Sequence, residues 1–114
     1  MIFISYSWRN RLMAESVMAC LNQFELPYWI DSEALDLRRD IHQQILDAIS
    51  ESSAVLCINT PEARSSSWVA FELQQARRLK REILAVRQVE RMTRTCLLPP
   101  AGARRRTAVP ATEP

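Results

Sequence analysis

Short apolar runs alternate along this chain with stretches in which apolar positions recur every three or four residues. Ile2-Phe3-Ile4-Ser5-Tyr6 is apolar and rich in β-branched and aromatic side chains, as a strand buried on both faces requires. From Asn10 to Phe24 the period becomes helical, with Met13, Val17, Cys20/Leu21 and Phe24 on one face and Arg11, Glu15 and Asn22 on others. Pro27 lies beyond that helix, and Tyr28-Trp29-Ile30 reads as a second short strand. Residues 31–39 form a polar loop, followed by a helix from about Asp40 to Ser50 whose stripe is Ile41, Ile45 and Ile49.

Ala54-Val55-Leu56-Cys57-Ile58 is the clearest strand, a continuous apolar run ended by Asn59-Thr60-Pro61. A loop through Arg64-Ser65-Ser66 leads into a helix from about Ser67 to Arg81, its buried side marked by Val69, Leu73, Ala76 and Leu79 or Lys80. Ile83-Leu84-Ala85-Val86 is the fourth strand. The order β-α-β-α-β-α-β with short connections predicts an α/β domain whose parallel sheet is covered by helices on both faces.

Composition narrows this picture. The 114 residues suffice for one ordinary domain, and 47% hydrophobic with 25% charged residues is a globular balance. No apolar run approaches the roughly 20 residues that cross a bilayer, and no signal peptide is read at the N-terminus. Cys20, Cys57 and Cys96 are odd in number and lack metal-ligand spacing. A disulfide framework is not expected, and a cytoplasmic, reducing location is. With His42 the only histidine, no metal site is expected either.

Charge divides the chain. Residues 1–90 hold ten basic and twelve acidic side chains, whereas residues 91–114 hold five arginines and one glutamate. Pro99-Pro100, the single Gly102 and Arg104-Arg105-Arg106 end the apolar periodicity there. The reading is therefore a folded domain over residues 1–90 and a disordered, basic, proline-rich tail over residues 91–114. Three arginines without aromatic partners make a poor nucleic-acid stripe, so no specific nucleic acid is expected as a partner.

In a doubly wound sheet, ligands bind beyond the carboxyl ends of the strands. That rule points to Ser5-Tyr6-Ser7-Trp8-Arg9, to Asp31, to Asn59-Thr60-Pro61 and to the start of the following helix. No G-x-G-x-x-G follows the first strand and no Walker lysine loop exists, which disfavours dinucleotide-fold and P-loop functions. A phosphoacceptor receiver would need acidic residues where Ser5-Tyr6-Ser7 and Asn59 stand. His42 lies on the second helix, too far from the rim for a serine hydrolase. Glu72 remains the best-placed ionisable group, on one helix face with Trp68 four residues earlier and expected to be part-shielded near the head of its helix.

Three segments then align with a family. Phe3-Ile4-Ser5-Tyr6-Ser7, Trp29-Ile30-Asp31 and Ser67-Trp68-Val69-Ala70-Phe71-Glu72-Leu73 resemble, in order and spacing, the signature segments of Toll/interleukin-1 receptor (TIR) domains, especially the bacterial type. The resemblance spans residues 2–87. It implies a flavodoxin-like doubly wound parallel sheet, with the last strand and helix of that fold lacking or degenerate here. It also implies two uses in signalling or defence. One is cleavage of the nicotinamide–ribose bond of NAD⁺, giving nicotinamide and ADP-ribose or a cyclic isomer. The other is non-catalytic association with itself or with other TIR domains.

Carried over by position, Glu72 matches the family's catalytic glutamate and Trp68 the tryptophan of its W-x-x-x-E motif. Tyr6, Ser7, Trp8 and Arg9 match the segment lining the nucleotide cleft, and residues 31–39 the mobile loop that begins at Asp31. NAD⁺ would be a substrate, so no cofactor is called for. The loop departs from the family in carrying Arg38-Arg39 where a glycine is usual.

Overall fold

A computed structural model describes residues 1–87. The expectations for residues 91–114, and for a missing or degenerate last strand and helix, lie outside the described residues. The first strand, β1 (Ile2–Ser5), leads through a single 3-10 turn (Trp8–Asn10) into α1 (Arg11–Gln23). Then follow β2 (Tyr28–Trp29), a short α2 (Asp31–Ala34), α3 (Ile41–Glu51) and β3 (Ala54–Ile58). A second short helix, α4 (Pro61–Arg64), precedes α5 (Ser67–Arg78) and β4 (Glu82–Val86).

The strands form one parallel sheet in the order β2-β1-β3-β4. Its two faces follow from alternation along each strand. Ile4, Leu56, Ile58 and Val86 turn to the side where α1 packs Ala14, Val17 and Leu21. Phe3 and Val55 turn to the other, against Ile45, Ala48 and Ile49 of α3 and Ala76 of α5. Phe3 also stacks on Trp29, ring centroids 5.0 Å apart. Register pairs Ser5 with Cys57, so these two side chains emerge together on the α5 side at the carboxyl end of the sheet. With β2 and β3 on opposite flanks of β1, the strand order reverses between β1 and β3, and a doubly wound sheet opens its crevice there.

Several local features depart from the sequence reading. Residues 31–39 are not wholly loop, because Asp31 and Glu33 in the first turn of α2 favour a helix start. Thr60-Pro61 starts a helix rather than merely ending a strand. The Thr60 hydroxyl accepts from the Ala63 amide at 3.0 Å, and Pro61 occupies the first helical position, where no amide is needed. The fifth helix stops at Arg78 rather than Arg81. Lys80 turns left-handed (φ 59°), and Arg81 N–H and Lys80 N–H close back on the carbonyls of Ala76 and Arg77. Cys57 is a free buried thiol. No described helix is long and apolar enough to cross a membrane.

Candidate functional site

At the carboxyl end of β1 the chain places one polar side chain among apolar ones. Ser5 is fully buried, and its hydroxyl donates to Oε1 of Glu72 at 2.7 Å. Glu72 sits in the second turn of α5, not at its head, and is only 2% exposed. The expected partial shielding is thus nearly complete. Burial pushes its carboxyl up to about 8; the Ser5 hydrogen bond opposes that rise, the negative charge of Asp31 adds to it, and Trp68 opposes it. Trp68 stands close enough to act on the carboxylate, yet its indole nitrogen makes no hydrogen bond of regular geometry. On β3, burial first and the charge of Glu72 second raise the Cys57 thiol to about 11.

Around this buried pair lies an aromatic rim. The α5 helix is started by Ser66, whose hydroxyl accepts from the Val69 amide at 3.1 Å. That start sets Trp68 one turn before Glu72. Trp8, on the 3-10 turn after β1, approaches Trp68 with ring centroids 5.9 Å apart and planes tilted by 53°. Its indole N–H donates to Oδ2 of Asp31 at 2.6 Å, joining the loop after β1 to α2. Trp8 is otherwise 64% exposed. Asp31 is buried, and its Oδ1 has no hydrogen-bond partner. Burial and then the Asp31 charge lift the Tyr6 hydroxyl to about 12, although that pair makes no hydrogen bond of regular geometry.

Trp8 divides the surface between two open cavities. One, of about 720 Å³, is lined by Ser7, Trp8, Arg9, Pro61, Glu62, Ser65, Ser66, Ser67 and Trp68. The other, of about 350 Å³, is lined by Tyr6, Trp8, Arg11, Asp31, Ser32, Leu35 and Leu37. The structure therefore gathers Tyr6, Ser7, Trp8, Arg9, Asp31 and Trp68 around one rim. Glu72 lines neither cavity and lies behind Trp68 in the interior.

Two contributions escaped the sequence reading. Ser5 counted as part of the strand-end rim and of the first signature segment but was given no role, although a serine within an otherwise apolar run is a signal for a buried polar partner. Ser66 counted as the end of a loop before a helix from about Ser67; the helix does begin at Ser67, and the capping role of the Ser66 side chain is what went unread. Among the described residues, no cluster of His, Cys, Asp and Glu has the arrangement to hold a metal ion.

The model of the TIR domain family matches residues 2–112. Among solved structures, the chain is similar to the TIR domain of the Toll-related receptor TRR-2 from Hydra magnipapillata. There the TM-score is 0.68 at 16% identity, over 75% of this chain and 67% of that one. It is also similar to the TIR domains of the activated Roq1 resistosome, which directly recognises the pathogen effector XopQ. That comparison gives a TM-score of 0.63 at 18% identity, over 84% of this chain and 67% of that one. At such identities the likeness is one of fold. No curated protein matches the chain.

Proposed function

The chain belongs to the TIR domain family, and from that premise we propose that it cleaves the nicotinamide–ribose bond of NAD⁺ with Glu72 as the catalytic carboxylate. The observation that carries this reading is the buried carboxylate itself, held by Ser5 behind the Trp8–Trp68 rim at the strand-order reversal. An acid group kept in a dry site, its pKa raised by burial and with one hydroxyl as its hydrogen-bond partner, is what a reacting carboxyl requires.

The reaction is within its means. As the C1′–N bond breaks, nicotinamide leaves with the bonding pair and becomes neutral, so no general acid is required. Positive charge collects on the ribose as in glycoside cleavage, and a fixed carboxylate in a low-dielectric site stabilises it. Water then attacks C1′ and releases a proton, giving ADP-ribose; attack by an adenine nitrogen gives a cyclic isomer. The substrate's pyridinium ring carries positive charge, which favours the ionised form of Glu72 on binding. Trp8, Tyr6 and Trp68 supply flat surfaces for the rings, Arg9 a charge for the pyrophosphate, and Ser7 and Asp31 polar groups for the remaining hydroxyls.

Glu72 lies behind Trp68, against which Trp8 packs, so access to it requires this aromatic pair to part. Trp8 is the shared wall of both cavities and is tied to Asp31 by a single side-chain hydrogen bond, so its displacement would join the two spaces. Incubation of the purified chain with NAD⁺, following nicotinamide release, tests the reading. Turnover in the wild type and a loss of at least about 100-fold in Glu72→Gln, with the circular dichroism unchanged, is the expected result. Absence of turnover at high protein concentration would overturn it.

A second reading, a non-catalytic association module in signalling, has its own observation. Trp8, Leu12 and Leu37 expose 64%, 79% and 75% of their surface, and Trp8 and Leu37 line the same cavity. Self-association that survives Glu72→Gln in a chain without turnover would favour this second reading.

A further inference from the structure

We infer that Ser5 is the positioning residue for Glu72, its buried hydroxyl fixing the orientation of the carboxylate and carrying part of its charge. The inference rests on the reading of Glu72 as the reacting carboxylate, and it deepens that reading by naming what holds the group in place.

The geometry is specific. Ser5 is the last residue of β1 and is wholly inaccessible to solvent. The previous residue on the same face, Phe3, is apolar, and so are Val55 and Val69 nearby. A serine here loses solvation without contributing apolar contact, and its 2.7 Å bond to Glu72 accounts for its presence. A strand end is also a rigid platform. Ser5 is locked in register against Cys57, whereas Glu72 has three rotatable bonds and would otherwise sample several orientations.

The surroundings leave Ser5 a large share of the work. From α2, Asp31 acts against the ionised form of Glu72; from β3, the Cys57 thiol is neutral at neutral pH; from α5 itself, Trp68 favours ionisation more weakly than Ser5 does. Ser5 thus leads the groups that oppose the effect of burial on this carboxylate. Removing its hydroxyl should reduce the ionised fraction as well as the orientation. A serine that merely filled space would do neither.

The decisive experiment follows the Glu72 carboxyl directly by carbon-13 NMR in protein labelled at the glutamate side-chain carboxyl, with Glu72→Gln identifying the resonance. Ser5→Ala should move the midpoint to higher pH, enough to cut the ionised fraction about tenfold at pH 7. Ser5→Thr, which keeps the hydroxyl, should titrate like the wild type. In parallel, Ser5→Ala should lower kcat for nicotinamide release with KM nearly unchanged and shift the rising limb of the pH profile in the same direction. Ser5→Thr should restore both.

An unchanged midpoint in Ser5→Ala would overturn the inference. So would a Thr variant displaced as far as the Ala variant, since that traces the effect to packing. A wild type that titrates as expected but releases no nicotinamide would refute the NAD⁺ reading while leaving the Ser5–Glu72 coupling established. Should Ser5→Ala fail to fold, Ser5→Cys, with its weaker donor, serves in its place, and a wild-type midpoint in that variant would count equally against the inference.

Discussion

Glu72 couples the site to the stability of the whole chain. Its carboxyl lies at about 8 in the folded protein against 4.5 for the ordinary group, so between those values the native state holds a proton that the unfolded state has released. Stability must then fall as pH rises through that window, the reverse of a salt-bridged carboxylate. The melting temperature is expected to drop from pH 5 to pH 8, and Glu72→Gln should flatten the curve. At pH 8.5 the Gln variant should be the more stable, by on the order of a few kcal/mol. Calorimetry across that range checks both. If the reaction reading holds, kcat/KM for NAD⁺ should climb toward a plateau above pH 8, because the free chain must ionise Glu72. Glu72 was legible because its motif sits with Trp68 at helical spacing. Its partner was not, since Ser5 lies 67 residues away and only the β1–α5 packing brings them together.

At the scale of elements, long apolar runs translated directly into structure. Ala54–Ile58 forms β3 with the predicted bounds, because a strand buried along its whole length needs no periodicity to be seen. The one-turn helices α2 and α4 were missed because they are too short to show a period. Their signals were a Thr-Pro start and acidic first turns, read instead as loop chemistry. Helix ends were obscured for a different reason. Both α1 and α5 close on a left-handed residue, Glu25 (φ 56°) and Lys80 (φ 59°), in a chain whose single glycine is elsewhere. Each carries the steric cost of a side chain in that conformation, about 1–2 kcal/mol. Glu25→Gly and Lys80→Gly should therefore each raise the melting temperature, with a net gain of about 1 kcal/mol after the added freedom of the unfolded chain. Ser66→Ala should act oppositely, costing about 1 kcal/mol and loosening the turn that carries Trp68. Thermal melts of the three variants test this.

For the molecule as a whole, the sheet order gathers every candidate residue but the buried Glu72 on one rim, which a linear reading could expect only from the α/β class and the family likeness. What it could not foresee is that the rim is split by Trp8 and edged with exposed apolar side chains. Leu12 and Leu37 leave 79% and 75% of their surface in water, and Leu37 belongs to the wall of the cavity that Asp31 and Tyr6 line. Single exposed leucines are ordinary, but apolar side chains gathered at a concave site favour contact with another surface. A second chain docked there would desolvate Leu37 and the face of Trp8, and contact on the Trp8 ring would compete with its bond to Asp31. Association and exposure of Glu72 would then be one event. The expectation is that nicotinamide release per chain rises with protein concentration, in step with the associated fraction seen by sedimentation. Leu37→Asp should abolish both rises, while Glu72→Gln should abolish release and leave sedimentation unchanged. A rate per chain that stays constant while association proceeds would separate the two readings and leave Trp8 to open without a partner.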